Sequence, residues 1–181
     1  MTAEIAENLR GAKEIAQWFA SRGLDNPKNS LEGNVKLQKL LFFAWLIHYY
    51  NYKEYLFNEP FFAFSKGPVV EEIRTDYYYN YSDYNTGNTP ELSDSQLDSV
   101  HLTEKLFGDA DSDELIELSH NSQTWKKYLN MSCAEDGFKI TKLAEMPFEE
   151  LTEKEMILIE NVILADRFSE SGDSAEGLKS D

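Results

Sequence analysis

The run Val35, Leu37, Leu40, Leu41, Phe42, Phe43, Ala44, Trp45, Leu46, Ile47 constrains this chain more than any other feature, because its apolar residues fall on nearly every side of a helix. A helix apolar around its whole circumference has to be enclosed by other elements. No stretch reaches the roughly 18 uncharged apolar residues that a membrane span requires, so the enclosure must be protein and not lipid. The segment from Val35 to Asn51, capped by Asn34 and carrying Lys36, Gln38 and Lys39 at its N-terminal end, is therefore expected to be the buried central helix.

The remaining periodicities supply the enclosure. Ile5, Leu9, Ala12, Ile15, Ala16 and Phe19 recur at helical spacing between Ala3 and Arg22, with Gly23 as the stop and Leu24 to Gly33 as a polar connection. Phe61 to Phe64 is a short apolar run that reads as a strand or strand-like segment. Gly67 calls for a backbone conformation closed to other residues, and Pro68 is expected at the first position of a third helix through Val69, Val70, Ile73 and Tyr77. Ser93 with Gln96, Asp111 with Glu114 and Thr152 with Glu155 have the spacing of capping boxes. They predict helices ending near Phe107, Ser119 and Arg167. Trp125 to Leu129 adds a helical turn, and Met131 to Met146 is open between loop and strand. The expected fold is mainly α, a compact bundle of about six helices around an aromatic-rich central helix, with room for one short β-hairpin. Residues 1–168 are expected to form one domain and 169–181 a disordered acidic tail.

Composition narrows the function. The 181 residues suit one compact domain, and 41% hydrophobic with 13% aromatic residues is enough to build its core. With 33 acids against 17 bases the net charge is −16, and there is no basic run to set against phosphates, so direct nucleic-acid binding is not expected. A basic protein would instead be attracted, with faster association at low salt. Met1 to Arg10 has no apolar signal core, which makes the cytoplasm the expected compartment. The single cysteine, Cys133, reads as a small buried hydrophobe, and three histidines do not assemble a metal spacing. No cofactor is expected, since the glycines are scattered singly and make no phosphate cradle.

Catalysis has one weak candidate. Ser119 is adjacent to His120, but neighbours on a helix do not face each other and no Gly-x-Ser-x-Gly elbow is present. His120 is better placed as a helix end over Trp125, and His48 as a hydrogen-bonded core residue. The chain is not expected to be an enzyme. The stronger anomaly is Tyr77, Tyr78, Tyr79, Tyr81 and Tyr84 among Asn, Asp, Ser and Gly, a composition suited to protein recognition because tyrosine offers contact area at little entropic cost. A spacing of four puts Ile73, Tyr77 and Tyr81 on one stripe and cannot put every tyrosine there. Tyr78, Tyr79 or Tyr84 must look elsewhere, and Tyr78, Tyr79, Tyr81 and Tyr84 are the candidate partner-binding residues.

The order of these blocks resembles the Panacea (SocA-like) antitoxin domain family, which is phage-associated. Lys36-Leu37-Gln38-Lys39-Leu40-Leu41 is similar to the family's central-helix block, and Ala63-Phe64-Ser65-Lys66-Gly67-Pro68-Val69-Val70 to its Ala-Trp-x-x-Gly-Pro-Val-Val. Leu92-Ser93 with Leu97, Val100 and Gly108 resembles the next helix and cap, and Glu114-Leu115 through Leu118-Ser119-His120 to Trp125 resembles the Leu-Thr-His to Pro-Trp block. Phe64, Lys66, Ser119 and Thr124 depart from the usual Trp, aromatic, Thr and Pro. The resemblance, over residues 8–165, implies an antitoxin that binds and neutralises a toxin encoded beside it. For one branch it implies an adaptor that delivers the toxin to a AAA+ protease. Some members carry an added DNA-binding domain, for which this chain has no spare length. Lys36, Gln38, Lys39, Gly67, Pro68, His120 and Trp125 are the family-motif residues, expected to be structural. The tyrosine loop and Leu143 to Leu151 are better placed to select a particular toxin.

Overall fold

The computed structural model describes residues 11–131 and 143–179, with side chains described as far as Glu170. The order of elements is α1 (Ala12–Ser21), α2 (Leu31–Tyr52), β1 (Phe61–Phe64), β2 (Gly67–Val69), α3 (Glu71–Tyr79), a 3-10 turn (Tyr81–Tyr84), α4 (Asp94–Phe107), α5 (Ser112–Ser119), α6 (Gln123–Met131), β3 (Glu145–Met146), α7 (Phe148–Lys154) and α8 (Met156–Lys179). The fold is mainly α, and the two helices beyond the expected six are α6 and α7. Cys133 and the part of the first helix before Gly11 lie outside the described residues.

Helix α2 is the axis. Every residue from Leu37 to His48 is buried, and α1, α3, α4, α5, α7, α8 and β2 all pack against it. Trp45 lies 5.2 Å from the Tyr55 ring and 4.7 Å from that of Phe148, while Phe43 stacks on Phe107 at 4.6 Å. The Trp45 indole N–H donates to Phe57 O at 3.2 Å, so the buried ring leaves no orphaned donor. Residues on α2 thus choose their neighbours by position around the axis and not by a polar–apolar divide.

The helix starts earlier than expected. Ser30, not Asn34, is its N-cap, accepting from Gly33 N at 2.9 Å. Gly33 is there for space: a Cβ would lie 2.2 Å from Asp25 O and 2.4 Å from Pro27 O, so the preceding loop crosses directly over it. The Asn34 amide is engaged elsewhere, donating to Arg74 O at 3.1 Å.

Two further boundaries differ from expectation. Pro68 lies in β2, and α3 begins at Glu71 with Val70 as its N-cap. The sheet order is β2-β1-β3, antiparallel throughout, with Ala63 opposite Pro68 and Phe61 opposite Met146. Because β2 is an edge strand, the missing Pro68 N–H costs no ladder bond. Thr152 is no cap, since it sits inside α7 with its hydroxyl on Glu149 O at 3.0 Å. Its partner Glu155 is buried between α7 and α8 and accepts from Thr124 N at 2.9 Å, capping α6 from another part of the chain. Helical backbone continues past Arg167, where an end was expected, to Lys179. The Ser93/Gln96 box and the Asp111 cap form as expected.

Candidate functional site

The family-motif residues converge on the β1–β2 hairpin. Gln38 accepts from Val70 N at 2.9 Å and donates to Asn34 Oδ1 at 3.2 Å, which fixes the junction between β2 and α3 to the central helix. Lys39 Nζ donates to Pro68 O at 2.9 Å, and Trp125 Nε1 donates to Phe64 O at 2.7 Å. Lys36 Nζ reaches Gly108 O at 3.0 Å, tying α2 to the end of α4. Backbone groups at the hairpin are thereby satisfied by side chains from α2 and α6.

Gly67 takes φ +118°, and a Cβ there would lie 2.5 Å from Ser119 Oγ and 3.0 Å from Lys39 Cε. Only glycine fits both the conformation and the space. Lys39 beneath it is fully buried, and burial followed by the nearby Lys66 charge brings its amine down to about 7.

Ser119 and His120 do not assemble a nucleophile and base. The Ser119 hydroxyl donates to Ile116 O at 2.8 Å, and the His120 ring lies flat on the Trp125 indole at 4.2 Å and 3°. Burial, and then the Lys39 charge, lower the His120 pKa. His48 is buried in the core with Nδ1 2.7 Å from Ser99 Oγ.

The tyrosines divide. Tyr77 is buried and accepts from Asn29 N at 3.0 Å while donating to Asp25 Oδ2 at 2.7 Å. Tyr84, expected to point outward, is only 4% exposed and donates to Asp76 Oδ2 at 2.6 Å. The 3-10 turn after α3 folds the chain back, so Tyr84 packs on Tyr77 at 5.2 Å and Tyr81 on Tyr77 at 5.3 Å, half-buried. Tyr78 and Tyr79 remain 72% and 75% exposed, edge to face at 4.9 Å. Within Leu143 to Leu151, Met146 and Leu151 are buried core residues.

Tyr78 also borders a cavity of about 690 Å³ between the start of α2, the β1–β2 turn and α3. Leu31, 75% exposed, stands on the same wall, with Val35, Lys66 and Arg74. These were missed in the sequence because Leu31 sits in what reads as a polar connection. An apolar residue directly after the Ser30 cap, on the outer side of the first turn, was the available signal.

Among the described residues no His, Cys, Asp and Glu side chains group as a metal site would require, and no helix is long and apolar enough to cross a membrane. Residues 37–126 match the family model described as "Antitoxin SocA-like, Panacea domain". No curated protein and no solved structure matches the chain. The matched span, shorter than the resemblance over 8–165, runs from α2 into α6 and holds the hairpin, its anchors Gln38, Lys39 and Trp125, and the tyrosine segment. Over that span the chain belongs to the SocA-like antitoxin family: it carries a Panacea domain.

Proposed function

We propose that this protein neutralises a cognate toxin, the product of the adjacent gene, by direct binding in the cytoplasm, through the face that carries Leu31, Tyr78 and Tyr79. The observation that supports this face is the exposure of these three large side chains beside a cavity, in a domain whose other aromatics are largely interior. Solvent-exposed tyrosines that make no core contact are the side chains an interface would use, since each buries a large area with two rotatable bonds to fix. The net charge of −16 adds long-range attraction for a basic toxin.

Co-expression with the neighbouring gene tests the reading. The wild-type chain should restore growth and co-purify as a stoichiometric complex. Tyr78→Ala/Tyr79→Ala should keep the thermal transition of the free protein within about 2 °C, as surface changes do, and lose binding by tenfold or more. Growth rescue by the double variant at wild-type strength would remove these residues from the interface.

Delivery of the toxin to a AAA+ protease is a second reading, favoured by one feature. An adaptor needs a second contact surface, and Ile157, Leu164 and Phe168 are exposed at helical spacing along α8. Rescue that disappears in a protease-deficient host, and in Phe168→Ser with toxin binding intact, would select this route.

A further inference from the structure

The cavity beside Tyr78 has a chemistry opposite to that of the chain. Acids outnumber bases 33 to 17 in the sequence, yet Lys39, Lys66 and Arg74 line this cavity and, among the described residues, no carboxylate does. Arg74 is partly neutralised, bonded to Glu71 at 2.6 and 2.7 Å while its guanidinium lies 5.3 Å over the Phe64 ring. Lys66 at the turn is exposed and forms no ion pair among the described residues. Lys39 lies in the wall with Pro68 O as its hydrogen-bond partner and no carboxylate against it. With its amine brought down to about 7 by burial, Lys39 carries only part of a charge near neutral pH, which leaves Lys66 as the cation an entering anion meets.

The rim is apolar. Leu31 and Tyr78 project around the opening, and a small anion filling the cavity would leave both in water. Only a larger body covers the rim and the cavity together, as a hydrophobic ring around a buried anchor does in protein interfaces.

We propose that this cavity receives a carboxylate-bearing segment of the toxin, an acidic side chain or the chain terminus beside an apolar residue, with the carboxylate at Lys66 and the apolar group between Leu31 and Tyr78. The assignment rests on the antitoxin reading above and names the chemistry of the partner at its contact. It reverses the sign expected from net charge alone: a toxin drawn in by the acidic surface as a whole is anchored by one of its own acids.

The test uses the full chain with the product of the neighbouring gene. Lys66→Glu should weaken the complex about tenfold or more at low salt, as reversal at a close charge pair does. Lys53→Glu makes the same charge change at the far end of α2, about 21 Å along the helix axis from the Lys39 wall of the cavity, and should change affinity less than about threefold. A photo-crosslinking benzoylphenylalanine in place of Val35 should attach to a toxin peptide that contains Asp, Glu or the C-terminus within a few residues of the linkage. Equal effects of Lys66→Glu and Lys53→Glu overturn the proposal. So does a label at position 35 that captures a second copy of this chain, a toxin segment without an acid, or nothing while a label at position 79 captures the toxin. No complex with the wild-type chain overturns the antitoxin reading as well, whereas a complex broken by Tyr79→Ala but indifferent to Lys66→Glu overturns the cavity assignment alone.

Discussion

Lys39 is the residue whose chemistry is least like that of its neighbours, an amine fully buried under the hairpin with its pKa lowered from 10.5 to about 7 by burial and then by Lys66. Around it are Pro68 O and Lys66 on the hairpin side and Ser119 and His120 at the end of α5. The unfolded chain binds a proton here up to its ordinary pKa, and the folded chain releases it from about 7 upward. Between those values the unfolded state holds more protons, so this group makes stability rise with pH across that window, and below it the full cost of burying an ammonium applies. Lys39→Met removes that cost but leaves Pro68 O without its donor, a loss of about 1–3 kcal/mol. Denaturant titrations should therefore show the variant gaining on the wild type at pH 6, with the advantage falling by several kcal/mol as the pH approaches 10. A pH-independent difference would mean that the Lys39 amine keeps its ordinary pKa on folding and stays protonated across this range. Gly67→Ala should destabilise by about 2 kcal/mol or more, since φ +118° and the contact at Ser119 Oγ both oppose a methyl group. Adding Ser119→Ala should return only part of that, because it relieves the contact and not the dihedral angle.

At the scale of elements, the hairpin is too small to stand alone. Strands of four, three and two residues are held by side chains from helices: Gln38 and Lys39 from α2 and Trp125 from α6. Trp125→Phe keeps an aromatic ring over which His120 can stack but deletes the bond to Phe64 O, and should cost about 1–2 kcal/mol in thermal or chemical unfolding. This also explains which boundaries were legible. The Ser93/Gln96 box, the Asp111 cap and the Gly108 stop are local, formed by residues within a turn of each other, and they stand where the sequence places them. The Pro68 and Thr152 readings used the same local rules and did not hold, because a strand partner at Ala63 and a distant acceptor need at Thr124 outweighed them. Tyr84 turned inward for a similar reason, since the 3-10 turn brings its hydroxyl onto Asp76.

For the whole molecule, the charge of −16 should govern how fast a basic partner associates and not how long it stays. Stopped-flow association with the toxin should slow steeply between low salt and about 0.15 M, with dissociation changing far less. Salt-insensitive association would leave the acidic surface as a solubility feature. The sequence by itself determined that a helix apolar on all sides lies at the centre, that other helices surround it, and that a glycine turn and a tryptophan flank it, because periodicity and glycine geometry are properties of neighbouring residues. It also determined that some tyrosines would face outward, from spacing alone. Only the tertiary structure decided which: Tyr78 and Tyr79 outside, Tyr77 and Tyr84 inside, and Leu31, Val35, Lys66 and Arg74 together around one cavity. That grouping joins residues up to about forty positions apart on three elements, and no local rule carries the sign of charge across such a distance.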